Sequence, residues 1–150
     1  MVYEFQVDFS QLDAFSKRLA KQLSSGDIVL LKGSMGMGKT AFVRSLMSHF
    51  SFYDVTSPTF SLVNQYHSSL FTFYHLDLYR ISNQHDLLSM NVSAYLEDVK
   101  GISLIEWSEN LGDFRPEFYL EMTLLKQSET VRTFMVDTTQ VKDPTRFQSL

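Results

Sequence analysis

The sequence predicts an α/β fold in which a central sheet with both parallel and antiparallel strands is flanked by helices. In the first third of the chain, strand-like and helix-like hydrophobic patterns alternate, which is typical of parallel strands covered by helices. Farther along, runs of aromatic and branched residues are separated by short polar links, which is typical of antiparallel hairpins. The 150 residues contain no internal repeat and no Gly/Ser/Pro-rich linker, so a single domain covering residues 1–150 is predicted.

The first elements are predicted from hydrophobic periodicity. Val2 to Asp8 alternates between apolar and polar residues, as a strand does. Ser10 is predicted to cap a helix. The apolar residues that recur at helical spacing after it are Leu12, Phe15, Leu19 and Leu23. A polar turn at 24–27 ends this helix, and the continuous apolar run Ile28 to Leu31 predicts a strand buried on both faces.

The rest of the chain is predicted to supply one helix from Lys39 onward and five further strands. The apolar side of that helix carries Phe42, Val43, Leu46, Met47 and Phe50. The strands are predicted at 60–66, 70–76, 102–105, 118–125 and 130–136. Because short links join the first two and the last two, each of these pairs is predicted to form a hairpin. Residues 81–99 have a mixed pattern that predicts loops with one or two short helices.

The composition excludes several classes of protein. Hydrophobic residues make up 44% and charged residues 20%, which is typical of a globular chain and not of a disordered one. A formal net charge of -4 argues against broad nucleic-acid binding by this chain alone. Without cysteine, neither a disulfide framework nor a thiolate metal site is available. The start is not a secretory signal and no apolar run approaches ~18 residues, so a soluble, cytoplasmic protein without a membrane segment is predicted.

The strongest motif is the stretch GSMGMGKT at residues 33–40, which fits G-x-x-x-x-G-K-[ST] without a mismatch. A buried strand is predicted before it and an amphipathic helix after it, as a P-loop requires. Glycines let successive N–H groups converge on phosphate oxygens, and the following helix adds its positive N-terminal end. The site is therefore predicted to bind ATP and Mg²⁺ in a P-loop NTPase domain. The predicted nucleotide-binding residues are Gly33, Ser34, Met35, Gly36, Met37, Gly38, Lys39, Thr40 and Ala41.

Within this loop, Lys39 is predicted to reach the outer phosphates and Thr40 to bind Mg²⁺ through its hydroxyl. A P-loop also needs an acid at the end of a neighbouring strand. Asp77 and Glu106 both stand at such strand ends, where carboxylates face the ligand crevice of α/β folds. Either could bind the metal or orient the attacking water, and spacing does not choose between them. The alternative for each is a solvated acid at a strand end.

Three other residues are predicted to be switch-like. Thr59, in the stretch Ser57-Pro58-Thr59-Phe60, could meet the γ-phosphate or Mg²⁺, although a simple turn is the alternative. Arg80 could stabilise phosphate charge or pair with a nearby carboxylate. Trp107 could stack on a nucleotide or a partner, or pack in the core. The four histidines lack metal-ligand spacing and are interpreted as surface or packing residues, with His75 near the site.

Four blocks in a fixed order resemble the TsaE (YjeE) family of small bacterial ATPases. They read GSMGMGKTAFVRSL, VTSPTFSLVNQY, FYHLDLYRI and LIEWSENL, and they span about Asp27 to Leu111. The resemblance implies a role in forming N6-threonylcarbamoyladenosine at position 37 of tRNAs that read ANN codons. It also implies a TsaD–TsaB complex as partner and ATP hydrolysis that supports repeated cycles. The acidic charge balance favours contact with tRNA only through those partners.

The resemblance further implies roles for individual residues. Lys39 matches the phosphate-binding lysine and Thr40 the Mg²⁺ ligand, while Asp77 and Glu106 match the family's essential acids around metal and water. Thr59 lies in the SPTF block, and Trp107 in the IEW block.

The phosphate loop and the first helix depart from the family pattern. The family loop usually reads close to GDLGAGKT, whereas this chain has Ser34, Met35 and Met37. A Glu-Thr pair near the family's first helix is replaced by Gln11-Leu12-Asp13. These changes are expected to affect contacts with adenine more than the phosphate chemistry.

Two other functions remain open at this stage. A small-molecule kinase would need an acceptor pocket and an Arg-bearing lid, for which only residues 81–99 leave room. A non-catalytic binding module would bind Mg-ATP and partners without needing turnover. For the ATPase, turnover by the isolated chain is expected to be weak.

Overall fold

The strands of the computed structural model, which describes residues 1–58 and 61–150, form one seven-stranded sheet. Its order is β1-β7-β6-β2-β5-β4-β3. The strands are β1 (Val2–Asp8), β2 (Ile28–Lys32), β3 (Val63–His67), β4 (Thr72–Asp77), β5 (Gly101–Glu106), β6 (Leu120–Lys126) and β7 (Val131–Asp137). The helices are α1 (Leu12–Gln22), α2 (Lys39–Ser48), α3 (Gln84–Ser89) and α4 (Val92–Leu96). Short 3₁₀ helices cover Phe9–Gln11, Ser108–Phe114 and Pro144–Phe147.

The sheet is mixed, as the sequence predicts. Its four central strands, β6, β2, β5 and β4, run parallel to one another. The edges are antiparallel, because β3 pairs with β4, β7 with β6 and β1 with β7. Both predicted hairpins are therefore confirmed, and the loop after β2 leaves the sheet at the carboxyl end of its central parallel strands, where α/β folds place ligands.

Strand β2 separates two apolar layers. Val29 and Leu31 face the layer formed with α1 and α2, while Ile28 and Leu30 face the layer formed with α3 and α4. All four side chains are buried, which confirms the prediction of a strand covered on both faces. In the first layer, the ring of Phe134 on β7 packs against two further phenylalanine rings, one from α1 and one from α2.

The predicted cap of the first helix is wrong. Asp8, not Ser10, caps the segment, because its carboxylate accepts the backbone N–H of Ser10 at 2.9 Å. The side chain of Gln11 accepts the backbone N–H of Asp8 at 2.9 Å, which completes a capping box. The result is a 3₁₀ turn before α1 begins at Leu12. The Ser10 hydroxyl donates to Asp8 and so serves as a donor at this position.

Other boundaries move by one to three residues. The strand predicted from 60 to 66 is observed from Val63 to His67, and its predicted first residue lies outside the described part of the chain. Within 81–99, where loops with one or two short helices are predicted, the structure has two, α3 and α4. Across the described ranges, no helix is long and apolar enough to cross a membrane.

Candidate nucleotide-binding site

The loop between β2 and α2 depends on glycine at specific positions. Gly33, Gly36 and Gly38 all have positive φ angles, of 144°, 80° and 99°, in a region that favours glycine. A Cβ atom on Gly33 would lie 2.8 Å from the backbone oxygen of Leu124 on β6. Gly38 directly precedes the first turn of α2. The loop therefore follows a path that other residues would strain, and it ends at a helix N-terminus that can receive an anion.

Lys39 lies beneath this loop, with only 5% of its surface exposed. Its ammonium donates to the backbone oxygen of Gly33 and, at 3.4 Å, to that of Ser34. The same nitrogen lies 3.9 Å from the centroid of the Trp107 ring, a cation–π contact. Burial lowers the pKa of Lys39, and the surrounding carboxylates, with Glu106 the strongest, oppose that shift. The ammonium is thus held at the loop by two backbone oxygens and an aromatic ring.

Thr40 joins the loop to the end of β5. Its hydroxyl oxygen lies 2.9 and 3.1 Å from the two carboxylate oxygens of Glu106, and 3.0 Å from the hydroxyl of Ser57. A carboxylate only accepts hydrogen bonds, so Thr40 donates to Glu106 and Ser57 donates to Thr40. Ser57 is a site residue that sequence reasoning missed, although its place in the SPTF block was the available signal. Thr59, proposed there instead, lies outside the described residues.

The two acids stand side by side at the ends of β4 and β5. Asp77 pairs with Glu106 in the parallel register, so both carboxylates point to the same face of the sheet. Glu106 is only 2% exposed, whereas Asp77 is half-buried and accepts the backbone N–H of Tyr79 at 3.0 Å. Burial raises the pKa of Asp77, and the hydrogen bond from Tyr79 opposes this shift. The structure therefore brings both predicted acids to the loop in different environments.

His75 belongs to the same group of side chains. It lies two residues before Asp77 on β4, is wholly buried, and places Nε2 2.6 Å from Oε2 of Glu106. Sequence reasoning placed His75 near the site but gave it no role. The signal for one was its alternation with Asp77, which puts both side chains on one face of a strand.

A hollow of about 340 Å³ opens between the loop and the two acids. Residues 35–41 line one side, and Asp77, Tyr79, Glu106 and Trp107 line the other. The Tyr79 and Trp107 rings lie 5.0 Å apart, and Trp107 both lines the hollow and packs against the apolar layer formed with α3 and α4. Its backbone has a left-handed φ of 55°.

Arg80 does not line this hollow and is exposed in the turn after β4. A second hollow, of about 470 Å³, lies at the opposite end of β2. Asp27 and Arg146 form an ion pair there, and no residue of the loop takes part.

The oxygen ligands at the site fit a magnesium ion that is bound together with a nucleotide. The Thr40 hydroxyl and the carboxylates of Glu106 and Asp77 are hard oxygen donors, which Mg²⁺ prefers. Within residues 1–58 and 61–150, no group of three or more His, Cys, Asp or Glu side chains could hold a metal alone. Mg²⁺ commonly uses one or two protein oxygens and takes the rest from phosphate and water. The arrangement therefore suits a nucleotide-borne metal.

The parallel central strands, the loop after β2 and the acids at the ends of β4 and β5 define a P-loop protein of the α/β class. The crystal structure of Bacillus subtilis YdiB has the same fold, with a TM-score of 0.70 over 91% of this chain and 86% of that one, at 22% sequence identity.

Comparison with known sequences identifies the family. The profile described as "Threonylcarbamoyl adenosine biosynthesis protein TsaE" matches residues 7–134. Proteins named "tRNA threonylcarbamoyladenosine biosynthesis protein TsaE" include one from Nostoc sp. that is 38% identical over 76% of this chain and 72% of its own length. Another, from Borreliella burgdorferi, is 37% identical over 73% and 79% of the respective chains. This chain belongs to the TsaE family, which is involved in threonylcarbamoyladenosine biosynthesis in tRNA, and the resemblance stated from its motifs is confirmed.

Proposed function

We propose that this chain binds Mg-ATP at the loop between β2 and α2 and hydrolyses it. In this proposal, hydrolysis is required to form N6-threonylcarbamoyladenosine at position 37 of ANN-decoding tRNAs. The contact between Thr40 and Glu106, at 2.9 Å, is the observation that carries the proposal. A hydroxyl that ends a phosphate loop and an acid on a neighbouring parallel strand are the pair that holds Mg²⁺ in P-loop NTPases.

The phosphates would bind where the loop turns into α2. Backbone N–H groups of the glycine-rich turn and the positive end of the helix favour an anion at that point. The Lys39 ammonium would exchange its contacts with the oxygens of Gly33 and Ser34 for phosphate oxygens. Since one set of hydrogen bonds replaces another, Lys39 contributes through the charge it brings to the transferred phosphoryl group.

The environments of the two acids support different roles for them. Glu106 lies against Thr40 and is almost completely buried, which favours it as the metal ligand. Asp77 is half-buried, lines the hollow and has a raised pKa, which favours it as the residue that orients water and accepts its proton. When bound, Mg²⁺ neutralises the charge that develops on the phosphate oxygens.

Family membership and charge support a finer biological role, which we propose as well. We place the chain with a TsaD–TsaB complex in the cytoplasm, and its net charge of -4 favours contact with tRNA through those partners. Ser57 contacts Thr40 directly, so docking of a partner near residues 55–58 would reach the metal ligand. Turnover is therefore expected to be weak for the chain alone and faster with partners.

Phosphate release from Mg-ATP tests the proposal, measured for the chain alone and with TsaD–TsaB, with Lys39→Ala as the control. Stimulation by the partners that disappears in Lys39→Ala is the expected result. Trp107 is the single tryptophan and contacts Lys39, so its fluorescence reports binding separately from turnover. A fluorescence response without phosphate release would support the binding-module alternative, and label transfer from the γ-phosphate to an acceptor other than water would support a kinase.

Substitution by isosteric amides can distinguish the roles of Asp77 and Glu106. Asp77→Asn is expected to abolish phosphate release while the Mg²⁺-dependent fluorescence response remains. Glu106→Gln is expected to weaken the response to Mg²⁺ itself, because a neutral amide is a poorer ligand for Mg²⁺. Loss of the Mg²⁺ response in Asp77→Asn but not in Glu106→Gln would reverse the assignment.

A further inference from the structure

We propose that His75 is a positioning residue that holds the Glu106 carboxylate in the orientation in which it meets Thr40. This inference deepens the proposed Mg-ATP site and rests on it. The distance of 2.6 Å between His75 Nε2 and Glu106 Oε2 is the central observation. It makes His75 one end of a hydrogen-bonded chain that reaches the phosphate loop.

The directions of the hydrogen bonds in that chain are fixed by chemistry. The Glu106 carboxylate only accepts hydrogen bonds, so it accepts one from His75 Nε2 and one from the Thr40 hydroxyl. Ser57 in turn donates to the oxygen of Thr40. The carboxylate therefore cannot rotate freely, because a turn that improves one contact lengthens the other. Such outer partners orient a metal ligand in the way that a carboxylate orients a metal-binding histidine.

Burial shows that His75 is present for its polar atom and not for packing alone. The side chain is wholly buried on β4, which is hydrogen-bonded to β5 on one side and β3 on the other. Its second ring nitrogen, Nδ1, has no hydrogen-bond partner among the described residues. An aliphatic side chain would fill the position without leaving a polar atom unpaired. Within residues 1–58 and 61–150, the polar contact of this side chain that offsets the cost is the one to Glu106.

The unpaired nitrogen also indicates which tautomer is present. Nε2 must carry a proton, because it faces a carboxylate. A bare lone pair at Nδ1 is easier to bury than an unpaired N–H group, so a ring with its N–H group at Nε2 fits the site. In this form His75 offers one donor in a fixed direction, held by a strand in the interior of the sheet.

A matched pair of variants distinguishes hydrogen-bond donation by the side chain at position 75 from its contribution to packing. His75→Gln keeps an N–H donor at nearly the reach of Nε2, and His75→Met has a similar length with no donor. Without nucleotide, the folding equilibrium constant of His75→Met is expected to be about tenfold or more below that of His75→Gln, as for a hydrogen bond to a charged group. In a Glu106→Leu background, that advantage of glutamine is expected to disappear.

The same pair tests the role at the metal. After ATP is bound in the presence of a chelator, Mg²⁺ is titrated and Trp107 fluorescence is followed. His75→Met is expected to need about 10–100-fold more Mg²⁺ than wild type, the usual effect of losing an outer-shell partner. His75→Gln is expected to keep most of the wild-type affinity for Mg²⁺. Metal-free ATP affinity is expected to stay unchanged in both variants, because the loop and Lys39 are untouched.

Equal behaviour of the methionine and glutamine variants in both measurements would overturn the inference, since His75 would then serve only as filling. A wild-type chain that gives no ATP-dependent or Mg²⁺-dependent signal would overturn the proposed function and, with it, the role of His75 at the metal. The folding measurements distinguish these failures, because they detect the link between His75 and Glu106 without any nucleotide.

Discussion

Replacing Gly33 with alanine is expected to destabilise the fold itself, apart from any effect on nucleotide binding. Gly33 is the first residue of the phosphate loop and follows β2 directly. Its φ angle of 144° is one that residues with a Cβ rarely adopt, and an added Cβ would approach the backbone oxygen of Leu124 to 2.8 Å. Gly36 provides a matched control, because its φ angle is also positive, at 80°, but an added Cβ would meet nothing within 4 Å.

Alanine is expected to strain only the backbone at Gly36, whereas at Gly33 it adds a steric clash to the backbone strain. At Gly36 only the backbone is strained, which costs about 1–2 kcal/mol. At Gly33 the backbone strain of about 1–3 kcal/mol is joined by a clash with β6, and overpacking of that kind costs about 1–3 kcal/mol more. Leu124 lies within a strand paired on both sides, so its backbone oxygen cannot easily move away. We therefore expect Gly33→Ala to lose about 2–6 kcal/mol of unfolding free energy.

Urea unfolding followed by circular dichroism, without nucleotide, measures this difference. With a denaturant slope of about 2 kcal/mol/M, the midpoint should fall by about 1–3 M in Gly33→Ala and by about 0.5–1 M in Gly36→Ala. The slopes should stay equal to that of wild type, so that the midpoints report stability. If both variants unfold at the same urea concentration, the contact between Gly33 and β6 does not constrain the loop, and the reasoning is refuted.

Three further predictions concern the fold away from the loop. Phe42→Ala removes a fully buried ring that packs against two other phenylalanines and should cost about 3–5 kcal/mol in urea unfolding; a cost near that of an exposed substitution would contradict this. Tyr74 donates to Asp98 at 2.5 Å, and this hydrogen bond raises the pKa of Tyr74 to about 12. Because this pKa is raised, the protonated phenol stabilises the fold below pH 10, and the stabilisation is lost as the pH rises toward 12. Tyr74→Phe should therefore be less stable than wild type by about 1 kcal/mol at pH 7, and this difference should disappear between pH 10 and pH 12. A stability difference that stays constant over this pH range would show that ionisation of the Tyr74 phenol does not cause it. Arg146→Ala removes the ion pair with Asp27 and should cost about 1–3 kcal/mol, against almost no effect for an exposed lysine of α1 as control.

Much of the fold could be predicted because its strongest signals are local. The apolar run from Ile28 to Leu31 is long enough for a buried strand and too short for a typical helix, and it is observed as β2. The short polar links that identified both hairpins are local signals of the same kind. The pairing of β1 with β7 was not predicted, because it joins residues more than a hundred positions apart and leaves no local pattern.

The site residues also differ in whether a local sequence pattern or a contact between distant segments identifies them. The phosphate loop is contiguous, so its residues could be predicted from spacing, and the two acids followed from their positions at strand ends. Sequence signals pointed toward Ser57 and His75, but their contacts could not be predicted, because they depend on the register of β4 against β5 and on how residues 55–57 lie against α2. The cap at Asp8 was missed for a smaller reason, since Asp8 and Ser10 lie only two positions apart and carry equally suitable side chains.

The contacts around Lys39 and Thr40 suggest why partners would matter for the proposed turnover. Lys39 is bonded to the loop's own backbone and to the Trp107 ring, while Thr40 is bonded to Glu106 and Ser57. In the proposed function, phosphate and metal would replace these contacts, so the net gain on binding would be the difference between two sets of bonds. A partner that moved Ser57 or Trp107 would weaken the internal set without touching the nucleotide. The same hydrogen-bonded chain would then set both the affinity for Mg-ATP and its response to docking, because Ser57, at one end of the chain, is partly exposed and within reach of a partner.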